Sequence, residues 1–452
     1  MLKRLSLIIF DIAWLVLALY LSLQLRYGIF DIHFDFIDHL WLFGPVFLLW
    51  LVVFYINQLY DYFNFSDYAF LLYACLRSAA ANFIITIIIF YVIPSLTLAP
   101  KTILVLTIII SSGLILLTRI LFNQIFSLDN LRRKLLIVGN NKIEISLAKE
   151  IKQNRAYGWR IIGFVTTNPG HRLKNFRKLG PAGELDKILE HKSVDAIAFD
   201  VARYQNHEAL IQTIADYCTA KNIEILDIYT LYERLTGKVP LANLPQLWFT
   251  NINQSAKRFT SFFKRLIDIL ISAIGLLVFL PFIPLLYILV KLDSPGPFFF
   301  VQERMGENNQ VFNLYKIRTF RHDGSQADRP TFTKTNDSRI TFVGKFLRQT
   351  RIDELPQLYN ILLGQMSIVG PRPERPEFID KLTKRQKLYY KRHLIKPGLT
   401  GWAQINLGYG ASYKDADKKL QYDLYYLKNR SLFLDLLIIL QTVRIIIMKQ
   451  GR

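Results

Sequence analysis

Asp353 and Glu354 stand side by side in the stretch LRQTRIDELPQLYNILLGQMSIVGPRPE, residues 347–374. Pro356 and the apolar run 358–363 follow them. Proline is tolerated in a first helical turn, so a helix starts here with Asp353 at or near its N-terminus. Partial positive charge at that end favours an ionised carboxylate and a bound phosphate. Arg348 and Arg351 precede the pair, and Arg372 follows it in GPRPE, between prolines that stiffen its loop. Carboxylates among arginines suit phosphoryl transfer. One carboxylate can hold Mg²⁺, which neutralises phosphate charge. The other can attack phosphorus and form an acyl phosphate. Arginine forks bind phosphate oxygens. An arbitrary Asp–Glu pair is more often a helix cap beside a solvated charge run, so the rest of the chain has to decide.

The chain has 452 residues, with 56 basic and 35 acidic side chains and a net charge of +21. Apolar residues make up 52% and charged residues 20%. That is too apolar for disorder or for an ordinary soluble protein, and too charged for a chain wholly in lipid. Two cysteines, Cys75 and Cys218, exclude a disulfide framework and a Cys-rich zinc site. The positive charge calls for an anionic partner. Its basic residues cluster beside apolar runs and phosphate-type motifs, which favours phosphorylated ligands and membrane lipid over nucleic acid.

Four apolar runs, about 5–25, 41–59, 79–98 and 102–120, each match the length a helix needs to cross a bilayer. The first is too long for a signal peptide, and no small-residue cleavage site follows it. Lys3 and Arg4 precede the first run, Asp31, Asp35 and Asp38 follow it, and Arg119, Arg132, Arg133 and Lys134 follow the fourth. Basic flanks stay in the cytoplasm, so both ends of the bundle are expected there. Asp11 inside the first run is costly in lipid and is expected to face the bundle or pair within it.

From residue 135 the pattern changes to LLIVG (135–139), IIGFV (161–165), AIAFDV (196–201) and IEILDI (223–228), with helical stretches to about 153, at 185–191 and at 207–220. This alternation predicts a parallel α/β sheet. The first turn, GNNKIE, keeps Gly139 but has Asn141 and Glu144 at the other glycine positions of a dinucleotide fingerprint. A structural, regulatory or dimerising domain is therefore expected, not a catalytic dinucleotide site.

Residues 266–290 form a fifth apolar run with basic residues on both sides, and Pro281 and Pro284 lie inside it. Proline removes a backbone bond and breaks or kinks a helix. A broken helix that enters the bilayer and returns to the same face fits both facts; a true fifth span is the alternative.

The segments 264–306, FNLYKIRTF (312–320), RIDELPQLYNILLGQMSIVGPRP (351–373) and KPGLTGWAQIN (396–406) together resemble the bacterial polyprenyl-phosphate sugar-1-phosphate transferases. These are monotopic phosphoglycosyl transferases that start O-antigen, capsule or exopolysaccharide repeat units. The order of four spans, α/β module and transferase domain is similar to the large form of the family. The resemblance implies an N-terminal four-helix transmembrane bundle over 1–125, a Rossmann-like α/β domain over 130–250 and an α/β catalytic domain over 260–452 with a re-entrant helix at 266–290. It implies that Asp353 is the nucleophile, attacking the sugar-side phosphate of a UDP-sugar, and that Glu354 is a Mg²⁺ ligand. Arg348, Arg372, Lys316 and Arg318 match basic positions that hold phosphates. Undecaprenyl phosphate would accept the phosphosugar and UMP would leave. The implied setting is the inner membrane of a bacterium, with the catalytic domain on the cytoplasmic face and a homodimer formed through the middle domain.

Asn309, Ile317, Phe320 and Leu407 depart from the family's usual residues without touching the Asp–Glu pair; galactose and glucose are the leading expectations for the sugar, with Leu407 leaving N-acetyl sugars open. LYYKRHL (388–394) reads equally as a grip for a lipid headgroup and as a solvated helix, and the apolar stretch 431–448, interrupted by Asp435 and Arg444, as an interfacial helix. A membrane-bound nucleotide-sugar dehydratase and a non-enzymatic assembly scaffold are the alternative functions. The C-terminal half lacks the glycine fingerprint that the dehydratase needs.

Overall fold

The computed structural model describes residues 2–28, 36–60, 65, 68–92, 101–127, 132–154, 157–166, 176–204, 208–241, 244, 255–321, 339–407 and 413–447. The chain divides into two compact units, Met1–Leu226 and Asp227–Arg452.

The first unit opens with four long helices, α1 (Leu2–Tyr27), α2 (Phe36–Ile56), α3 (Tyr68–Val92) and α4 (Lys101–Ser127). They share a core that includes Leu15, Leu19, Phe43, Trp50, Leu71 and Ile103. Large apolar side chains such as Ile9, Trp41, Leu48, Leu72 and Ile109 point outward, as lipid-facing surface requires. Asp11 pairs with Arg119 in a two-pronged bridge of 2.8 and 2.6 Å, and Arg119 also donates to the Leu59 carbonyl. Both ionic side chains are fully buried. Asp11 thus ties α1 to α4, as the cost of a lone charge in lipid leads one to expect. The same bridge removes Arg119 from the basic flank of the fourth run, because α4 continues to Ser127 and holds Arg119 inside the bundle. α3 begins at Tyr68, well before residue 79; Arg77 lies within the helix with its guanidinium 4.5 Å from the centre of the Tyr73 ring. Asp31 and Asp35 lie outside the described residues.

The α/β part follows as β1 (Arg133–Val138), α5 (Lys142–Gln153), β2 (Trp159–Thr166), β3 (Lys178–Pro181), α6 (Leu185–His191), β4 (Ala196–Phe199), α7 (Glu208–Lys221) and β5 (Glu224–Asp227). The sheet order is β3-β2-β1-β4-β5, with β1 parallel to β2 and β4, and β2 parallel to β3. Four of the strands answer to the apolar runs in the sequence; β3 is a four-residue addition whose sequence KLGP carries no strand pattern. Gly139 has φ +115°, and a Cβ there would stand 2.7 Å from Glu144 Oε1. The buried Glu144 carboxylate therefore fills the space behind the first turn, at the start of α5.

The first helix of the second unit is α8 (Ile228–Thr236). Glu233 pairs with Lys428 at 2.7 Å, and Trp402 donates to the Gly237 carbonyl at 2.9 Å, which fastens α8 to the C-terminal fold. The apolar run becomes α9 (Ser255–Phe279), a single tight turn over 280–282, and α10 (Ile283–Asp293). Pro281 lies in that tight turn and Pro284 in the first turn of α10, where its missing N–H costs nothing. Then come β6 (Phe299–Met305), antiparallel β7 (Val311–Ile317), α11 (Phe342–Thr350), α12 (Gln357–Leu362), β8 (Ser367–Val369), α13 (Pro376–Arg385), β9 (Gly398–Thr400), α14 (Trp402–Asn406), α15 (Tyr413–Asn429) and α16 (Leu432–Ile447).

Both ends of the α9–α10 pair are fastened to this same unit. Arg265 donates to the Ile361 and Leu362 carbonyls at 2.5 and 2.7 Å, and Asp268 accepts from the Ile368 N–H at 2.9 Å. At the other end Asp293 accepts from the Val343 N–H at 2.7 Å. Between these anchors, Ile274, Leu277, Val278, Leu285 and Ile288 are exposed apolar surface. Among the described residues, five helical stretches are long and apolar enough to cross a membrane, and this is one of them. α16 is held by Asp435, which pairs with Lys264 at 2.7 Å.

Candidate active site

Thr341 caps α11 by accepting from the Gly344 N–H at 3.0 Å. The helix ends at Arg351, whose φ of +61° lies in the left-handed region that non-glycine residues rarely adopt. This reversal leads directly into a tight turn over 352–354, which carries Asp353 and Glu354 inward. Both are nearly buried, at 7% and 8% exposure. α12 fixes the turn against β7: Asn360 accepts from the Tyr315 N–H at 3.2 Å and donates to the Asn313 carbonyl at 2.7 Å. Lys316 follows on that strand, so the same bonds set its position.

Glu354 is the hub of a cation cluster. Its Oε1 lies 3.1 Å from Lys316 Nζ and 2.9 Å from Arg372 Nη2, and its Oε2 lies 3.6 Å from Arg351 Nη1. Burial alone would raise its pKa, but Lys316, Arg372 and Arg351 outweigh burial and hold the carboxyl well below the usual range. Lys316 is pushed the other way: burial lowers its pKa, and Glu354 only partly compensates.

Asp353 behaves oppositely to its neighbour. Burial pushes it up to about 6, the Glu354 charge adds to the rise, and Lys316, Arg348 and Arg351 resist it. Its Oδ1 is buried and has no hydrogen-bond donor. Two adjacent carboxylates are thus driven apart, one firmly ionised and one poised near neutrality, as in sites that divide chemical roles between a pair of acids.

Of the residues singled out in the sequence, Asp353, Glu354, Lys316 and Arg372 come together. Arg348 acts on Asp353 through its charge and stacks 5.0 Å from the centre of the Phe320 ring. Arg318 is placed elsewhere. It donates to the carbonyls of Ser294 at 2.6 Å and of Pro295, and the Asp293 carboxylate favours its charge, so it ties off the end of α10. Arg351 flanks the pair in sequence, but only its left-handed backbone shows that it turns back onto Glu354. LYYKRHL is not a fully solvated helix: residues 389–394 form a tight helical turn with Tyr389, Arg392 and His393 buried and Tyr390 and Leu394 exposed.

Residues 259–449 match the profile of a family described as Bacterial sugar transferase. The chain is 30% identical over 326 residues to the UDP-glucose:undecaprenyl-phosphate glucose-1-phosphate transferase of Escherichia coli K12, covering 69% of this chain and 67% of that protein. The chain belongs to the bacterial sugar transferase family. Two other relatives agree. A UDP-glucose:undecaprenyl-phosphate glucose-1-phosphate transferase of Xanthomonas campestris is 32% identical over 70% of this chain and 66% of its own length. A UDP-N-acetylgalactosamine-undecaprenyl-phosphate N-acetylgalactosaminephosphotransferase of Aeromonas hydrophila is 40% identical over 51% of this chain and 54% of its own length. The chain spans between about half and two thirds of these relatives. The whole cation–carboxylate cluster, from Lys316 to Arg372, lies within the residues the family profile matches.

Proposed function

We propose that this protein transfers a sugar-1-phosphate from a UDP-sugar to undecaprenyl phosphate, giving undecaprenyl-diphosphate-sugar and UMP. This is the first membrane step of O-antigen, capsule or exopolysaccharide synthesis. The observation that carries the proposal is the split pair: a buried Asp353 with a bare Oδ1 and a pKa near neutrality, beside a Glu354 that is ionised among three cations.

In the first step an oxygen of the Asp353 carboxylate bonds to the sugar-side phosphorus. The bond from that phosphorus to the bridging oxygen breaks, and UMP leaves with both electrons. In the second step an oxygen of undecaprenyl phosphate attacks the same phosphorus, and the carboxylate departs unchanged. A pKa near 6 leaves Asp353 mostly ionised at neutral pH yet more basic than an ordinary aspartate, which suits a nucleophile. Lys316, Arg351 and Arg372 would turn from Glu354 to the incoming diphosphate, and Arg348 lies on the Asp353 side. Among the described residues no group of three or more His, Cys, Asp or Glu could hold a metal by itself. Mg²⁺ commonly takes one or two carboxylates and completes its shell with water and substrate phosphates, and the ionised Glu354 carboxylate fits that need. When bound there it would neutralise diphosphate charge.

Both ends of the α9–α10 pair are tied to one unit, which supports a hairpin that enters the membrane and returns. A straight helix of 33 residues would part those ends by about 50 Å. An active site at the cytoplasmic face of the inner membrane, where the lipid phosphate lies, is part of the same proposal. The middle sheet, Rossmann-like in its order, is read as non-catalytic because Glu144 puts a carboxylate where a dinucleotide phosphate would need to approach; a homodimer through this domain is part of the same proposal. Incubating the full chain with a panel of UDP-sugars, Mg²⁺ and undecaprenyl phosphate should release UMP with one sugar preferred. No UMP from any donor would reject the proposal, and NAD-dependent loss of water from the sugar would favour a dehydratase.

A further inference from the structure

Arg372 lies within a loop of almost no regular structure, residues 370–375. Yet each backbone carbonyl from Pro371 to Glu374 accepts a hydrogen bond. The Pro371 carbonyl accepts from the Gly398 N–H at 2.9 Å, and the Glu374 carbonyl from the Met305 N–H at 2.9 Å. The two carbonyls between them are taken by guanidinium groups, one buried and one half-buried. Arg392 Nη2 donates to the Arg372 carbonyl at 2.9 Å, and Arg304 Nη1 donates to the Pro373 carbonyl at 3.1 Å. Gly370 is locked at the other end: a Cβ on Gly401 would stand 2.1 Å from its carbonyl oxygen, and a Cβ on Gly398 would stand 2.0 Å from its nitrogen.

Arg392 is an expensive residue to place there. It is 2% exposed, and a buried cation persists only with strong compensation. Asp423 on α15, also 2% exposed, pairs with it at 2.8 Å, and Tyr389 OH accepts from Nη1 at 2.7 Å. Glu374, the next acid along the loop, lies 3.8 Å from Nη1. Arg392 therefore joins three separate pieces of chain at one point, and one of them is the backbone of the residue whose guanidinium grips Glu354. A hydrophobic side chain could fill the same volume without the charge. What it could not do is hold a specific carbonyl in a specific direction.

We propose that Arg392, with Asp423 as its counter-ion and Arg304 as its companion on the next carbonyl, is a positioning residue that aims Arg372 at the reacting phosphate. This rests on the phosphotransfer reading of the site. Guanidinium–phosphate contact is directional, and a misplacement on the order of 1 Å can lower a rate about 100-fold. The aim of Arg372 then depends on a bond some distance from the chemistry.

The test uses the full chain and follows UMP release with a UDP-sugar and undecaprenyl phosphate. Arg392→Lys keeps the charge and the pairing with Asp423, but a point-like ammonium cannot serve the Arg372 carbonyl, Asp423 and Tyr389 together. It should lower kcat/KM by about 10- to 100-fold, with the loss divided between kcat and KM in the same proportion as in Arg372→Lys. In an Arg372→Ala background the same change should cost less than about 3-fold, because there is no longer a side chain to aim. Arg304→Lys, which frees the Pro373 carbonyl instead, should show the same loss of effect in that background, and it serves if Arg392→Lys does not fold. The proposal is overturned if the Arg392 and Arg304 effects persist undiminished without Arg372. It is equally overturned if kcat alone falls, in step with the amount of folded protein. Asp353→Asn run alongside separates the two levels: turnover surviving that change would reject the reading of the site itself, whatever the Arg392 result.

Discussion

Asp353→Asn should make the protein more stable while abolishing its turnover. The folded structure raises the Asp353 pKa from 3.8 to about 6, with burial as the main cause. A carboxyl whose folded pKa is raised binds its proton more tightly folded than unfolded. Its penalty is absent below the unfolded value, grows as pH rises from 3.8 through 6, and is constant above. A shift of about 2 units at roughly 1.4 kcal/mol each gives about 3 kcal/mol of destabilisation at pH 8, and about half of that at pH 5. Asparagine imitates the neutral acid in shape and carries no charge, so it should recover much of that difference. Denaturant unfolding of the detergent-solubilised full chain, wild type against variant, at pH 5 and at pH 8 measures it. The variant should be the more stable of the two, with the gap widening toward pH 8. A variant no more stable than wild type, or a gap that does not depend on pH, would refute the argument that this carboxylate is held ionised against its surroundings. A residue that costs the fold free energy and is needed for turnover is what a functional group looks like in a stability measurement.

UMP release should climb with pH through about 6 as Asp353 ionises; Lys316→Met, which removes the largest opposing cation, should move that limb up by about 1 to 3 units, so that activity lost at neutral pH partly returns near pH 9. A limb that stays in place would show that Lys316 does not act on Asp353. Glu354→Gln should lower stability at neutral pH by about 3–5 kcal/mol, because Lys316, Arg351 and Arg372 lose their shared anion; an unchanged unfolding midpoint would contradict the buried cluster. Asp11→Asn should cost a similar amount by stranding Arg119, whereas the double change Asp11→Leu with Arg119→Met should be close to neutral. A single cysteine placed just after residue 293 should react only with reagent on the cytoplasmic side, and labelling only from outside would reject the returning hairpin.

Much of the cation–carboxylate cluster could be read along the chain because its members are carried by short linear motifs. Asp353, Glu354 and Arg372 lie within a 20-residue stretch, and the turn that gathers them is announced by Pro356 and the apolar run behind it. The parts that escaped depend on direction in space. Arg318 and Lys316 share the KIRT motif, but only Lys316 is brought to Glu354, while Arg318 closes the open carbonyls at the end of α10. Composition cannot tell these apart, since a guanidinium serves a phosphate or a helix end equally well. Arg392 was hidden for a related reason: a run of Tyr, Lys, Arg and His looks like surface, and only the position of Asp423, 31 residues later, makes its burial tolerable. Helices of the first unit were legible from hydropathy, but the start of α3 was not, because Arg77 and Ser78 lower the apolar average of a turn that the bundle nonetheless carries. In the middle sheet, the buried strands β1, β2 and β4 show as apolar runs, whereas β3 is a short edge strand with little to bury.

The central claim is that an oxygen of Asp353 becomes bonded to phosphorus. The direct measurement is mass analysis of the acid-quenched full chain after brief incubation with its UDP-sugar and Mg²⁺, with undecaprenyl phosphate left out. The expected result is release of UMP together with the mass of one sugar phosphate on the peptide that contains residue 353, absent in Asp353→Asn. UMP formed only when the lipid is present, with that peptide never gaining mass, would contradict it.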